Sequence, residues 1–412
     1  MKKIILSAFV LLGIFANNSS AQKIAAFTFD LTAEEKTLDI PVSINLDSLT
    51  KLPSGSLSLS ETNGNTITAI PFQVTKADHR TLHFIVKQSQ LTKRTYQLVK
   101  SAPAVFNGIE GVTNDGNLTI RNGSQNLLRY QFQTVYPPAG VDSSYKRSAF
   151  IHPLWAPHGQ ELTRIQPKDH YHHYGIWNPW THTVFEKDTV DFWNIGGKKG
   201  TVRFARFISQ TNGPVFSQFE ALHEHVVFKK DGAEKIALNE IQTVRVYKPT
   251  EKSDYYFVDI TSALSCATGS PLLIVAYRYG GLGWRTTGYW NNKNSEVLTS
   301  EGKNRKDADG SKARWIIVQG ELNNDYGGAA MLSYPANYNH PEPIRIWPEN
   351  QYGRGDMFAN FAPTKDKDWL IEPGKTYTLK YRLVVFNGKF NKEKAESAWQ
   401  DFAMQPVIKI SK

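Results

Sequence analysis

A single cysteine, Cys266, occurs in 412 residues. Its solitude excludes an intrachain disulfide and any metal site built on two thiolates. It sits in the apolar alternation Ile260-Thr261-Ser262-Ala263-Leu264-Ser265-Cys266, which reads as a buried thiol rather than a nucleophile. After the first residues, no apolar run approaches the roughly 20 residues that span a bilayer, so no integral membrane segment is expected. Lys and Arg exceed Asp and Glu, 48 to 38 with net charge +10, but they are scattered rather than gathered in a stripe. That distribution argues against a nucleic-acid partner and leaves an anionic polysaccharide open. Helical periodicity is nearly missing before Lys392 to Phe402, and there is neither an internal repeat nor a low-complexity tract. No Gly-x-Ser-x-Gly elbow, phosphate-binding loop, Ca²⁺ loop or His-Glu-x-x-His is present, which removes the common hydrolase, nucleotide and zincin signatures.

What is present begins with an export signal. Lys2 and Lys3 precede an apolar run from Ile4 to Ala16, and small Ser19 and Ala21 stand at the cleavage positions before Gln22. Residues 1–21 are therefore set aside as signal peptide, and the mature chain is expected to be periplasmic or secreted. No cysteine follows the apolar run, so lipid attachment has no acceptor. With 40% hydrophobic, 21% charged and 12% aromatic residues, the remainder is globular rather than disordered. Short period-two segments such as Leu38 to Ile44 and Thr81 to Val86 predict an Ig-like β-sandwich over 22–105. Turn dipeptides Asn107-Gly108, Asp115-Gly116 and Asn122-Gly123 mark the join. Many further strand candidates follow, among them Leu127 to Thr134, Tyr255 to Ile260 and Thr376 to Phe386. Strands in such number without interleaved helices predict an all-β second domain over 106–412, a large antiparallel sandwich or barrel.

Six of the 11 histidines lie between His152 and His182, densest in Asp169-His170-Tyr171-His172-His173-Tyr174. Imidazole is the commonest metal ligand and the side chain that titrates nearest neutrality, so two chemistries compete. In one, two or three of His152, His170, His172, His173 and His182 hold Zn²⁺ or another divalent metal ion, with His170, His172 and His173 the first choice. In the other no cofactor is needed, and these histidines with Tyr171 or Tyr174 act as acid and base. The plainer alternative is that they cap turns and bond backbone. Aromatic residues crowd the same region, and Trp177, Trp180 and Trp290 are the choices for a sugar-stacking wall, against core packing as the alternative. Tyr279-Gly280-Gly281-Leu282-Gly283-Trp284-Arg285 presents Arg285, either to a substrate anion or to an internal acid. His340 lies in a second loop-rich polar patch. Residues 291–313 are strongly polar, as expected of an exposed loop over a cleft.

These motifs occur in a recognisable order. His152-Pro153-Leu154, the Asp169 to Ile176 loop with Trp180, Tyr279 to Arg285, Ala330 to Asn337, and Arg382 to Val385 together resemble the DUF6807 family, from about Arg129 to Gly388. Members often carry the label "PmoA family", after a methane monooxygenase subunit. A membrane copper oxygenase is incompatible with a chain lacking a spanning run, so the label reads as a misnomer. The resemblance implies a β-supersandwich of the galactose-mutarotase type, an analogy of fold. The family's loop has Pro and Arg where Tyr171 and Tyr174 stand here, so a role of that Arg does not transfer. The combined expectation is an exported carbohydrate-active enzyme, a glycoside hydrolase or polysaccharide lyase with a His-rich cleft. A sugar epimerase and a non-catalytic glycan-binding protein are the alternatives. In each, Trp177, Trp180, Arg285, Trp290 and His340 are the substrate contacts.

Overall fold

A computed structural model describes residues 22–31, 38–87, 93–250, 253–404 and 406–412; the expected signal over 1–21 lies outside them. Strands account for 52% of the structure and helices for 6%, so the chain is an all-β protein built of antiparallel sheets. Alternation in the sequence becomes alternation in burial. Along Lys93–Lys100, for example, Arg94, Tyr96 and Leu98 point inward while their neighbours stay at least partly open.

Among the described residues, a five-stranded sheet runs in the order Ile408–Ser411, Gln22–Asp30, Lys93–Lys100, Leu57–Asn63, Thr66–Ala69. It shares a core of Phe27, Phe29, Leu59, Phe84 and Leu98 with the three-stranded sheet of Ile40–Asn45, Arg80–Val86 and Phe72–Lys76. Its first strand comes from the far end of the chain, with Phe29 paired to Ile408. The small sandwich docks on the rest of the molecule through Gln73, whose Oε1 accepts from the Val215 and Phe216 amides at 3.3 and 3.2 Å.

The larger body has an eight-stranded sheet, with long strands Gly200–Thr211, Phe216–Phe228, Glu234–Tyr247, Tyr255–Cys266 and Thr376–Asn387 side by side. A nine-stranded sheet faces it, and apolar side chains from both, such as Leu128, Ile151, Phe219, Val258 and Leu383, form one core. The helix Lys392–Ala403 is capped by Asn391, whose side chain accepts from the Lys394 amide. It lays Ala395 and Ala398 against the back of the eight-stranded sheet. No helix among the described residues is long and apolar enough to cross a membrane.

The polar stretch 291–313 is not the exposed loop its composition suggests. Ser295–Thr299 is an edge strand of the eight-stranded sheet, and Arg305 and Ala308 are buried. Arg305 can be buried because its guanidinium donates to the carbonyls of Trp347, Pro348, Gly355 and Asp356.

Candidate functional site

Adjacent strands of the nine-stranded sheet bring distant loops to one place. Ile176–Trp177 pairs with Gly283–Arg285, which pairs with Phe358–Phe361, with Cα partners Ile176 and Trp284, then Arg285 and Phe358. The loop entering the first strand therefore meets Arg285 and the segment carrying Asp356. Glu342–Ile346 pairs on the far side of Phe358–Phe361 and delivers Trp347. Gly175 makes the loop possible: its φ is 57°, and a Cβ there would stand 2.2 Å from the Ile151 carbonyl oxygen.

His170, His172 and His173 converge so that one ring nitrogen of each lies within 4.8 Å of the others, the one such grouping of His, Cys, Asp or Glu among the described residues. Trp347 lies 5.0 and 5.6 Å from the His170 and His173 rings, and Trp177 and Phe358 each lie 5.3 Å from His173. The Asp169 carboxylate is 2.8 Å from His170 Nδ1, and the Tyr352 hydroxyl is 3.0 Å from Nε2. A carboxylate only accepts, so Nδ1 carries the proton and the Nε2 lone pair faces Tyr352. His173 is buried, and its Nδ1 has no hydrogen-bond partner.

Behind the imidazoles lies a layer of charge. Arg285, fully buried, donates from Nη2 to Asp169 at 3.0 Å and to Asp356 at 2.6 Å, with its guanidinium 4.6 Å from the Trp347 ring. Arg164 donates to the same Asp356 oxygen at 2.7 Å, and Arg354 pairs with the other. Of the two readings of Arg285, the structure supplies internal acids, while its Nε and Nη1 remain unpartnered.

Burial governs the titration of the cluster. It pushes His172 down to about 3, reinforced by the charges of His170, Arg147 and Arg285. Burial also holds His173 well below the ordinary value, and in His170 it outweighs the Asp169 bond. For Asp169 burial pulls upward, but Arg285 and His170 together leave the carboxyl below its usual range. Imidazoles so depressed are neutral at pH 7 and make weak proton carriers, whereas neutral imidazole is the form that binds metal. Ionised Asp169 orients His170 and is no proton donor. A tetrahedral site with ligand bonds near 2.0 Å sets nitrogens about 3.3 Å apart, and the three ring nitrogens here lie within 4.8 Å of one another.

The other sequence candidates are dispersed. Tyr171 packs beside Tyr145, and the Tyr174 hydroxyl donates to the Tyr145 carbonyl and accepts from Gln166. Trp177, Trp180 and Trp290 are at most 1% exposed and so offer no stacking face. Trp177 does floor the histidines; Trp180 packs on Trp369, and Trp290 on Trp284. His340 bonds Ser333 at 3.2 Å, apart from the cluster. Cys266 is half-buried, its thiol donating to the Ile371 carbonyl and held up by burial.

Arg164 and Tyr352 were not singled out in the sequence, because a lone Arg or Tyr in a loop carries no spacing signal. Arg164 also lines a cavity of about 380 Å³ with His152, Glu161, Thr287 and Tyr289. A second polar group also escaped notice: Tyr130, His223, His225, Glu240, Asn178 and Ser262, sealed between the large sheets. His223-Glu224-His225 places two imidazoles on one face of a strand, a period-two signal that was available.

Fold and site define an all-β sandwich protein with a three-histidine centre on the loop edge of its larger body. Residues 117–400 match DUF6807, a family of unknown function, and the chain belongs to that family. No curated protein matches it.

Proposed function

We propose that the chain is an exported carbohydrate-active enzyme whose His170, His172 and His173 hold a divalent transition metal. The convergence of three neutral imidazoles, one oriented by Asp169, is the observation that carries this reading. Such an ion supplies a Lewis acid or a bound water of lowered pKa. The chain's own part is to fix the donors and to seat the substrate. Arg285 helps to hold Asp169 ionised, Arg285 and Arg164 together fix Asp356 in place, and the adjoining cavity offers Glu161, Thr287, Arg164 and the half-exposed Tyr289 ring to sugar hydroxyls. The reaction we assign is cleavage of a glycosidic bond, by hydrolysis or elimination. Proton transfer by free histidines, as an epimerase requires, draws less support because burial weakens these bases. A glycan-binding module drew its support from three tryptophans that prove buried.

The test is to incubate the mature chain, from Gln22, with neutral, uronic and sulfated polysaccharides while following reducing ends and unsaturated products. Turnover should vanish in His172→Ala with glycan affinity largely kept. Turnover retained in that variant, or no glycan cleaved by the parent, contradicts the proposal.

A further inference from the structure

Of the two His170 nitrogens, one is held by Asp169 and the other meets a residue that nothing in the core requires. Tyr352 is 57% exposed, yet its hydroxyl sits 3.0 Å from His170 Nε2 and its ring stands edge-on to His170 and Trp347, at 4.9 and 5.2 Å. Resting on the metal reading above, we infer that Tyr352 is a fourth, exchangeable ligand of the three-histidine centre.

The distance is the first argument. Ligand atoms of a tetrahedral site with bonds near 2.0 Å lie about 3.3 Å apart. The phenol oxygen stands 3.0 Å from the nitrogen whose lone pair faces it, a hydrogen-bond distance only a few tenths of an ångström short of that separation. Tyr352 occupies the place that an ion bound to Nε2 would contest, and the same hydroxyl can follow the ion as a ligand.

The loop that carries it is the second argument. Arg305 clamps both ends, bonding the carbonyls of Trp347 and Pro348 on one side and Gly355 and Asp356 on the other. Arg354 ties the loop to Asp356, the acid shared by Arg285 and Arg164. At Gly355, with φ of 75°, a Cβ would fall 2.3 Å from the Glu349 carbonyl oxygen. Between these fixed ends Tyr352 itself takes φ of 52°, a left-handed conformation that strains a bulky residue. A strained aromatic tip on a pinned base, aimed at a histidine nitrogen, is a way to place a ligand that can leave. Its exposure lets it swing out when a sugar hydroxyl or water, another oxygen donor, takes the position.

Neighbouring tyrosines do not compete for the role. The Tyr174 hydroxyl is bound to the Tyr145 carbonyl, and that of Tyr279 bonds Trp347 Nε1 and Arg345. Tyr171 faces Tyr145.

The experiment titrates metal-free mature protein with Cu²⁺ and records its visible spectrum. We expect one equivalent bound, with a phenolate-to-copper charge-transfer band. Tyr352→Phe should bind the equivalent without the band, and Tyr171→Phe should keep it. A copper-loaded parent lacking the band, or a band that survives in Tyr352→Phe, overturns the inference while leaving the histidine centre standing. Failure of the parent to bind copper, or binding unaltered in His170→Ala/His172→Ala, sinks the metal reading and this inference with it.

Discussion

Glu240, between the two large sheets, and Asp169, on the loop ahead of Ile176, are both carboxylates set against histidine, but their surroundings differ. Glu240 is fully buried, with Oε2 at 3.0 Å from His225 Nε2 and 3.7 Å from His223 Nδ1. Its Oε1 accepts from Asn178 at 3.0 Å and from Ser262, and His223 bonds the Tyr130 hydroxyl at 2.6 Å. Burial pulls Glu240 upward, yet the bonds and charges of the two imidazoles more than reverse it. Asp169 is a third exposed, and the cluster it orients keeps an unpartnered nitrogen on His173 and a second on His170 capped by an exposed phenol. One group has its carboxylate enclosed by donors and closed to solvent; the other has its carboxylate and its capping phenol open to solvent. Each group keeps an unpartnered imidazole nitrogen, His225 Nδ1 in one and His173 Nδ1 in the other, so what separates them is access: the first is sealed between the sheets, and the second reaches solvent through Asp169 and Tyr352.

The largest effect should follow from breaking the closed group. Glu240→Ala leaves two buried imidazoles without their acceptor and should cost about 3–5 kcal/mol in urea unfolding. His172→Ala at the open group should cost about 1 kcal/mol or less. Equal losses at the two positions would erase the distinction.

A smaller effect comes from Glu342, a buried carboxyl that lacks imidazole partners. Burial pushes it up to about 7 against hydrogen bonds from Ser333, Asn337 and Tyr381. Its folded value lies above the unfolded one, so its contribution is fully present below the ordinary carboxylate value of 4.5 and is lost as pH rises through about 7. Glu342→Gln should therefore gain on the parent by about 1–3 kcal/mol between pH 4 and pH 8. An unchanged difference in stability across that range would show that Glu342 is ionised like Glu240.

The smallest effect belongs to the surface. His158 bonds Asp325 at 2.7 Å with its side chain 52% exposed, and that bond holds its pKa up. His158→Ala should change stability by about 0.5 kcal/mol or less, because water screens the pair. A loss comparable to that of Glu240→Ala would mean that burial is not what divides these sites.

The strand pattern was legible because each sandwich strand exposes one face and buries the other, as Tyr96 and Leu98 do beside Thr95 and Gln97. The helix over Lys392 to Phe402 was legible from its period, and it runs Lys392–Ala403. So was the histidine loop, whose members are neighbours in the chain. Asp356, Trp347 and Tyr352 were not tied to that loop, because only the strand order places Phe358–Phe361 beside Gly283–Arg285 and Glu342–Ile346. The return of Ile408–Ser411 to Gln22–Asp30 was hidden for the same reason: pairing across the whole chain leaves no local trace. Tryptophan burial was misjudged because adjacency to a polar motif says nothing about which side of the sheet a ring occupies. Trp177 shares the His173 neighbourhood and still points into the core.

The central claim is that the three-histidine centre holds a metal. Mature protein prepared without a histidine tag, and its His170→Ala/His172→Ala variant, should be assayed for bound metals by mass spectrometry. About one equivalent of a single transition metal in the parent, lost in the variant, is the predicted result. A parent that carries no metal and takes none up, or a variant that keeps the full equivalent, would contradict the account.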